Sequence, residues 1–514
     1  MSEIAPGTTY SGVAWAQISA PESPCLINQW PVDNSESLGG TTSEKVPTEL
    51  AFSYERPSRR ILWGFQIPNE MPRLHWFKLR LDPDQKEHII PSLAKFHKDW
   101  KQMSLPHHAT IESVPTDYLR SLLNHVHSVL KIQLEAGLCE TSDIHIISEP
   151  EAAAIHALRA TRPNNLEVDD TVLLIDAGDG TVDLITFTIE QLLPCLRLRE
   201  AAAGTGAYCG SSLLNRRFEG FLRQRLQSNP GWDSDKLDYA MKRFDAYAKR
   251  QFTGDTTDIF SFPVHGIADD IELKVHRGML RVSGEEMHAI FLPVLDEVVR
   301  LTNQQIKLSK SSVKAALVVG GFGQNQFLRN HIQENIPSDV RVLAPPDGWT
   351  AVVRGALAKV LSQASPSIPR IVISSRVARM HYGHVMSVPY DIQKHDTNRA
   401  YWDYYGRRYI IVMNWFIHQG DSISETAPII TYWERKSSLT RTAQSTHHGV
   451  RQHATMKAEL DDDLQRKIPI KTGQDGEKYY FIDYAFHANY FSAHCDVSLW
   501  YEGRHQGSAQ ITYL

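Results

Sequence analysis

TVLLIDAGDGTVD, residues 171–183, is the stretch whose reading decides the fold. Thr171 to Ile175 is a continuous apolar run, the pattern of a strand covered on both faces. Asp176 to Asp183 then predicts a tight turn, and Leu184 to Ile189 returns as a second strand. Glycines let a backbone approach an anion closely, and successive N–H groups with a hydroxyl can cradle phosphate oxygens. A carboxylate beside such a turn, here Asp176, suits a magnesium ion held through water.

Two further glycine turns flank this one along the chain. Gly7-Thr8-Thr9-Tyr10-Ser11-Gly12 lies near the start, and Gly320-Gly321-Phe322-Gly323 follows the apolar strand Ala315 to Val319. Either alone also suits an ordinary hairpin or packing punctuation; their order and separation add the information. Between and around them, helical spacing runs from Leu119 to Leu134, a strand is expected at Ile144 to Ile147, and a helix starts near Pro150. Leu213 to Arg300 reads as mostly helical, with Pro263 and Gly266 interrupting. Helices follow over Gln326 to Asn335 and Ala351 to Leu361. After Ser365 the composition shifts to aromatic and β-branched pieces: Tyr409 to Trp415, Ile429 to Trp433, Tyr479 to Phe486 and Gln510 to Tyr513.

With these motifs quoted, the chain resembles an actin-like ATPase of the seventy-kilodalton heat-shock family, in its divergent A12-like branch of fungal type. Gly7 to Gly12 resembles the first phosphate loop, Ser148 to Ile155 the connecting helix, Asp176 to Asp183 the second phosphate loop and Gly320 to Gly323 the adenosine motif. Pro346 to Ala356 resembles the closing helix. The fold implied is α/β: a two-lobe, ribonuclease H-like ATPase followed by a β-rich C-terminal domain. Its parts would be a first lobe at 1–160, a second lobe at 161–364 with a helical subdomain at about 207–310, and the β-rich domain at 365–514.

The resemblance also implies roles and the cofactors ATP and Mg. Gly7, Thr8, Thr9 and Tyr10 would meet the β- and γ-phosphates, with Gly178, Gly180 and Thr181 opposite and Gly210 facing them. Asp176 and Glu149 would order magnesium through water. Lys78 would be the phosphate-facing lysine, Lys249 and Arg250 would flank the adenine, and Gly320, Gly321 and Asp347 would complete the nucleoside pocket. For each charged residue the alternative is a solvated surface side chain. Segments Arg376 to Gly383 and Trp415 to Asp421 resemble the start of a chaperone substrate domain, which would take peptide or protein clients. A helical lid and acidic tail are expected to be lacking.

Two departures bear on hydrolysis. Ala5 and Pro6 stand where the family pattern has an aspartate and an apolar residue, so a first strand and its carboxylate are expected to be missing. Leu134 to Leu138 follows the preceding helix directly, so a strand and most of a helix are expected to be missing after Gln133. Phosphoryl transfer depends on positioning and charge compensation, so turnover would be weak or absent. A nucleotide-independent scaffold and a small-molecule kinase on the same fold stay open.

The remaining features exclude more than they propose. A net charge of -5 over 514 residues offers no basic field for nucleic acid or an anionic membrane. No run of about 18 apolar residues predicts a membrane span. Five scattered cysteines without a CxxC pair argue against disulfide and zinc frameworks and fit a reducing, cytoplasmic setting. The pairs His107-His108 and His447-His448 lie in polar stretches without ligand spacing. Ser211 and Ser212 have no oriented histidine to make either a nucleophile.

Overall fold

Ser2–Pro6 (β1) pairs antiparallel with Tyr10–Gln17 (β2), Ile4 opposite Val13 and Pro6 opposite Ser11. The expectation of a missing first strand is therefore corrected: a strand precedes the first glycine turn. It lies at the edge of its sheet, where a proline's missing donor is tolerated. The carboxylate is still lacking, because Ala5 and Pro6 form the end of β1. The computed structural model describes residues 2–17, 20–32, 42–53, 60–68, 71–81, 109–134, 146–161, 165–365, 368–403, 406–425, 427–438, 468–472, 476, 478–490 and 494–512. The expected gap after Gln133 runs into residues 135–145, outside the described residues, as do both histidine pairs and Cys139.

The chain divides into two units, Met1–Val372 and Ile373–Leu514. In the first, Ala20–Leu26 (β3) and Lys45–Pro47 (β4) pair with successive halves of β2. Glu49–Ser53 (β5), Arg60–Trp63 (β6) and Leu74–His75 (β7) form a second small sheet in the order β6-β5-β7. Strand β2 is buried on both faces, and its alternation separates two cores. Val13 and Trp15 pack with Trp30, Trp63, Phe77 and with Tyr118 and Leu122 of Ser113–Leu134 (α1). Ala14 and Ala16 pack on the opposite side against Val353, Leu357 and Leu361.

Glu149–Ala160 (α2) carries Pro150 in its first turn. Thr171–Ala177 (β8), Val182–Gln191 (β9) and Leu196–Ala207 (β10) follow as an antiparallel series. Ser212–Leu226 (α3), Ser234–Arg243 (α4), a π turn at Phe244–Ala248 and Lys249–Gln251 (α5) come next. The helical expectation for Leu213 to Arg300 is then corrected by a three-stranded sheet of Ile259–Pro263 (β11), Val275–His276 (β12) and Met279–Ser283 (β13), in the order β11-β13-β12. The reason is a period of two: Phe260, Phe262 and Val264 are buried, and Phe262 joins a cluster in which Phe218 stacks on Phe244 at 4.2 Å.

Gly284–Leu308 (α6) leads to Val313–Val319 (β14), Gln326–Asn335 (α7), Arg341–Leu343 (β15) and Ala351–Ala364 (α8). Strand β14 lies parallel between β8 and β15, giving the order β15-β14-β8-β9-β10. Helices α2 and α8 touch backbone to backbone. A β-carbon added to Gly355 would stand 1.7 Å from the Ala152 carbonyl oxygen, so only glycine permits this approach. From Ile371 onward the described residues form strands, in sheets that include Tyr382–Pro389, Ala400–Trp402 and Arg408–Ile417, and a longer series over Ile429–Ser438, Lys478–Tyr490, His494–Tyr501 and Arg504–Thr512. Ala378, Ile417, Ile423, Ala488 and Tyr490 make the core of the second unit.

Candidate functional site

The turn between β1 and β2 and the turn between β8 and β9 meet inside the first unit. A β-carbon added to Gly180 would stand 2.8 Å from Thr8 Cγ2. The second turn is held from behind by the start of α3. Gly210, Ser211 and Ser212 donate their N–H groups to the carbonyls of Gly180, Gly178 and Asp179 at 3.3, 3.2 and 2.9 Å, and Gly178 N–H donates to Thr181 O at 2.9 Å. Gly210 has no room for a side chain, since its β-carbon would be 2.2 Å from Asp179 O.

Asp176 closes β8 opposite Asp183 on β9. Burial, then the charges of Glu149 and Asp183, push its carboxyl up to about 7, against the pull of Lys45 and Lys78. Lys78 forms an ion pair with Glu149 and donates to the Pro6 carbonyl at 3.2 Å. Burial works against its charge, but Glu149 overcomes that and raises its pKa. Lys45 is shifted the other way, because burial outweighs Asp176, Glu149 and Glu44. Asp176 thus feels the charge of two further carboxylates, which favours an added cation. Among the described residues no cluster of His, Cys, Asp or Glu stands at direct ligand geometry. The donor set therefore fits magnesium held through water and phosphate oxygens rather than a protein cage.

Around this centre the other expected residues take definite partners. Thr181 Oγ1 donates to Asp183 at 2.9 Å, and Thr9 accepts the Thr48 N–H at 2.7 Å through its carbonyl. Lys249 lies 2.5 Å from Asp245 and 3.7 Å from Asp179, whose carboxylate also accepts from Ser211 Oγ at 2.5 Å. Asn325 caps α7 and donates to the carbonyls of Lys249 and Phe252, tying the lysine's turn to the sheet. Arg250 acts electrostatically on Tyr10 and Asp245. Burial, then Asp245 and Asp179, push the Tyr10 hydroxyl up to about 12.

Gly320 has φ +85° and donates to Gly348 O at 2.9 Å; a β-carbon there would lie 2.3 Å from Ala177 O and 2.7 Å from Asp176 Oδ1. The turn at residues 320–323 is thus pressed onto the end of β8. Gly321 faces Trp349, which meets Tyr10 edge-on at 6.1 Å. Asp347 adopts the left-handed conformation at φ 56°, and its carboxylate lies 3.7 Å from Arg354. The structure therefore brings Gly7 to Tyr10, Lys78, Glu149, Asp176, Gly178 to Thr181, Gly210, Lys249, Gly320 and Gly321 near one another around the two turns. Asp347 is tied to Arg354 at the head of α8.

Lys45 and Trp349 also lie by this group, Trp349 against Tyr10 and Lys45 against Trp349, but were not assigned from the sequence. Trp349 sits inside the closing-helix motif and could have been read from it. Lys45 carries no such signal, because β4 is three residues long and meets β2 only in the folded chain.

No family model matches the chain. Over 234 residues it is 27% identical to heat shock 70 kDa protein 12A of Homo sapiens, covering 40% of this chain and 34% of that protein. Part of this chain is a distant relative of the heat shock 70 kDa proteins. The Mus musculus 12A protein gives the same identity and coverage, and heat shock 70 kDa protein 12B of Homo sapiens is 24% identical over 234 residues. The chain spans about a third of the length of the curated relatives it matches. Its mixed α/β sheets and helices are consistent with an actin-like ATPase type of fold. Among the described residues no helix is long and apolar enough to cross a membrane.

Proposed function

We propose that this is a heat-shock-70-like protein that binds ATP with Mg in the cleft between residues 1–160 and 161–364, with weak or absent hydrolysis. The observation that carries the reading is the contact of Thr8 with Gly180 beside the half-buried Asp176, Glu149 and Lys78. In this reading Thr8, Thr9 and Tyr10 hold the β- and γ-phosphates from one side, and Gly178, Gly180 and Thr181 from the other. Lys78 neutralises phosphate charge. Gly320, Gly321 and Trp349 shape the nucleoside end, Asp347 and Arg354 close it, and Lys249 and Arg250 flank the base. Magnesium, when bound, would supply the charge compensation that phosphoryl transfer needs. Asp176 and Glu149 would orient its waters.

Weak turnover follows from the end of β1, where Ala5 and Pro6 offer no carboxylate. In the same proposal, nucleotide-dependent closure controls the β-rich segment 365–514, which takes peptide or protein clients in the cytoplasm. A nucleotide-independent scaffold is the second reading, and the missing carboxylate favours it.

Calorimetry of the full chain with Mg-ATP, paired with thermal unfolding, tests the proposal. With a Kd of about 100 µM, roughly 1 mM nucleotide stabilises the fold by about 1.4 kcal/mol. Asp176→Asn is expected to remove that stabilisation while raising the melting temperature of the nucleotide-free protein at pH 8. The sign follows from the raised carboxyl: the folded state holds the proton more tightly, so stability is lost as pH rises from about 4 to about 7. Neither heat nor thermal shift in the native chain at millimolar Mg-ATP would leave the scaffold reading in its place.

A further inference from the structure

Lys45 is a cation of the cleft that none of the sequence motifs names. Strand β4 places it opposite Gly12, and its side chain runs over that glycine. Lys45 Cγ and Cε lie 3.5 and 3.6 Å from where a β-carbon of Gly12 would be. The ammonium reaches 5.6 Å from the centre of the Trp349 ring, and the charges that act on it are those of Asp176, Glu149 and Glu44.

Its situation differs from that of the other two lysines. Lys78 is engaged by Glu149 and the Pro6 carbonyl, and Lys249 by Asp245. The Lys45 ammonium makes no hydrogen bond or ion pair with a described residue. An ammonium partly withdrawn from water without a direct partner is disfavoured, and an arriving anion relieves that cost. The nearby Trp349 face adds cation–π attraction that holds the head in the cleft.

Its neighbours determine what kind of anion suits it. A divalent cation needs an ordered frame of carboxylates and water, and β1 contributes none. The two carboxylates left to order that water, Asp176 and Glu149, are the ones whose field Lys45 already partly neutralises. A fixed lysine charge in this position competes with a mobile divalent ion and does part of its work on phosphate.

Resting on the reading of the cleft as a nucleotide site, we propose that Lys45 is a second phosphate-binding lysine that stands in for divalent charge, so that ATP binds this protein with little dependence on magnesium.

The test is calorimetry of ATP binding to the full chain, with excess Mg or with excess EDTA, for the native protein, Lys45→Met and Lys45→Arg. The native affinity is expected to differ by less than about threefold between the two conditions. Lys45→Met should lose about tenfold or more in EDTA, equivalent to about 1.4 kcal/mol, and regain part of it with Mg. Lys45→Arg should keep most of the EDTA affinity. A native protein that binds in Mg but loses more than tenfold in EDTA overturns the role of Lys45 and leaves the nucleotide site standing. Unchanged EDTA affinity in Lys45→Met does the same. No binding in either condition overturns the nucleotide site itself. Melting curves check that Lys45→Met is folded; should it not be, Lys45→Gln takes its place, and the native ratio of the two affinities decides by itself.

Discussion

Gly355→Ala puts the backbone contact of α2 with α8 to a direct test. The added β-carbon would start 1.7 Å from Ala152 O and must reach at least 3.0 Å, so the helices have to part locally by about 1.3 Å. The obstacle is a carbonyl inside a buried helix, flanked by Ala153 and Ala154, not the end of a flexible side chain. Overpacking of a well-filled core costs about 1–3 kcal/mol, and a rigid backbone obstacle belongs at the upper end. Replacing glycine by alanine inside a helix returns about 1 kcal/mol. The net expectation is a loss of about 2 kcal/mol. Urea unfolding should show a lower midpoint with an unchanged slope. Because α2 carries Glu149 and α8 follows Asp347, Mg-ATP affinity should fall as well. A Gly355→Ala protein as stable as the native one would refute the close crossing and the site geometry that depends on it.

Two further outcomes follow from ion pairs. Glu151 is 1% exposed and pairs with Lys359 across the same two helices, so Lys359→Ala takes a cationic partner from a buried carboxylate. The expected loss is about 3 kcal/mol, and Lys359→Ala combined with Glu151→Gln should recover much of it in urea unfolding. Glu286 completes a capping box with Ser283 at the start of α6. Burial alone would raise its carboxyl, but hydrogen bonds from Arg225, Lys274 and the Ser283 amide overcome this and hold it at about 2. The folded pKa is depressed, so this contribution is present above about 4.5 and is lost as pH falls toward about 2. Melting curves of the native protein and Glu286→Gln should therefore converge between those values; parallel curves would contradict the assignment.

Several elements could be read directly from residue patterns because each burial environment leaves a local trace. Strand β8 is covered on both faces and shows it as an unbroken apolar run. Helix α7 announces itself by Asn325, which accepts from Leu328 N–H. The glycine turns at residues 7–12, 178–180 and 320–323 were visible because backbone packed on backbone excludes side chains. The first strand was not expected because Ala5 and Pro6 replace its aspartate and apolar residue and proline lacks a donor, which an edge strand tolerates. The sheet of β11, β12 and β13 was missed because its strands are short and sit among strong helical patterns.

By itself the sequence determined where the glycine turns fall, where the strands β8 and β14 run, and that the end of β1 has no carboxylate, since each depends on residues adjacent in the chain. Only the tertiary structure decided that Thr8 meets Gly180, that Lys78 reaches Glu149, and that Lys45 lies by Asp176 and Trp349. Those contacts join residues far apart along the chain. Their distances and charges come from how β2, β8, α2 and α8 pack together, and no local pattern encodes that packing.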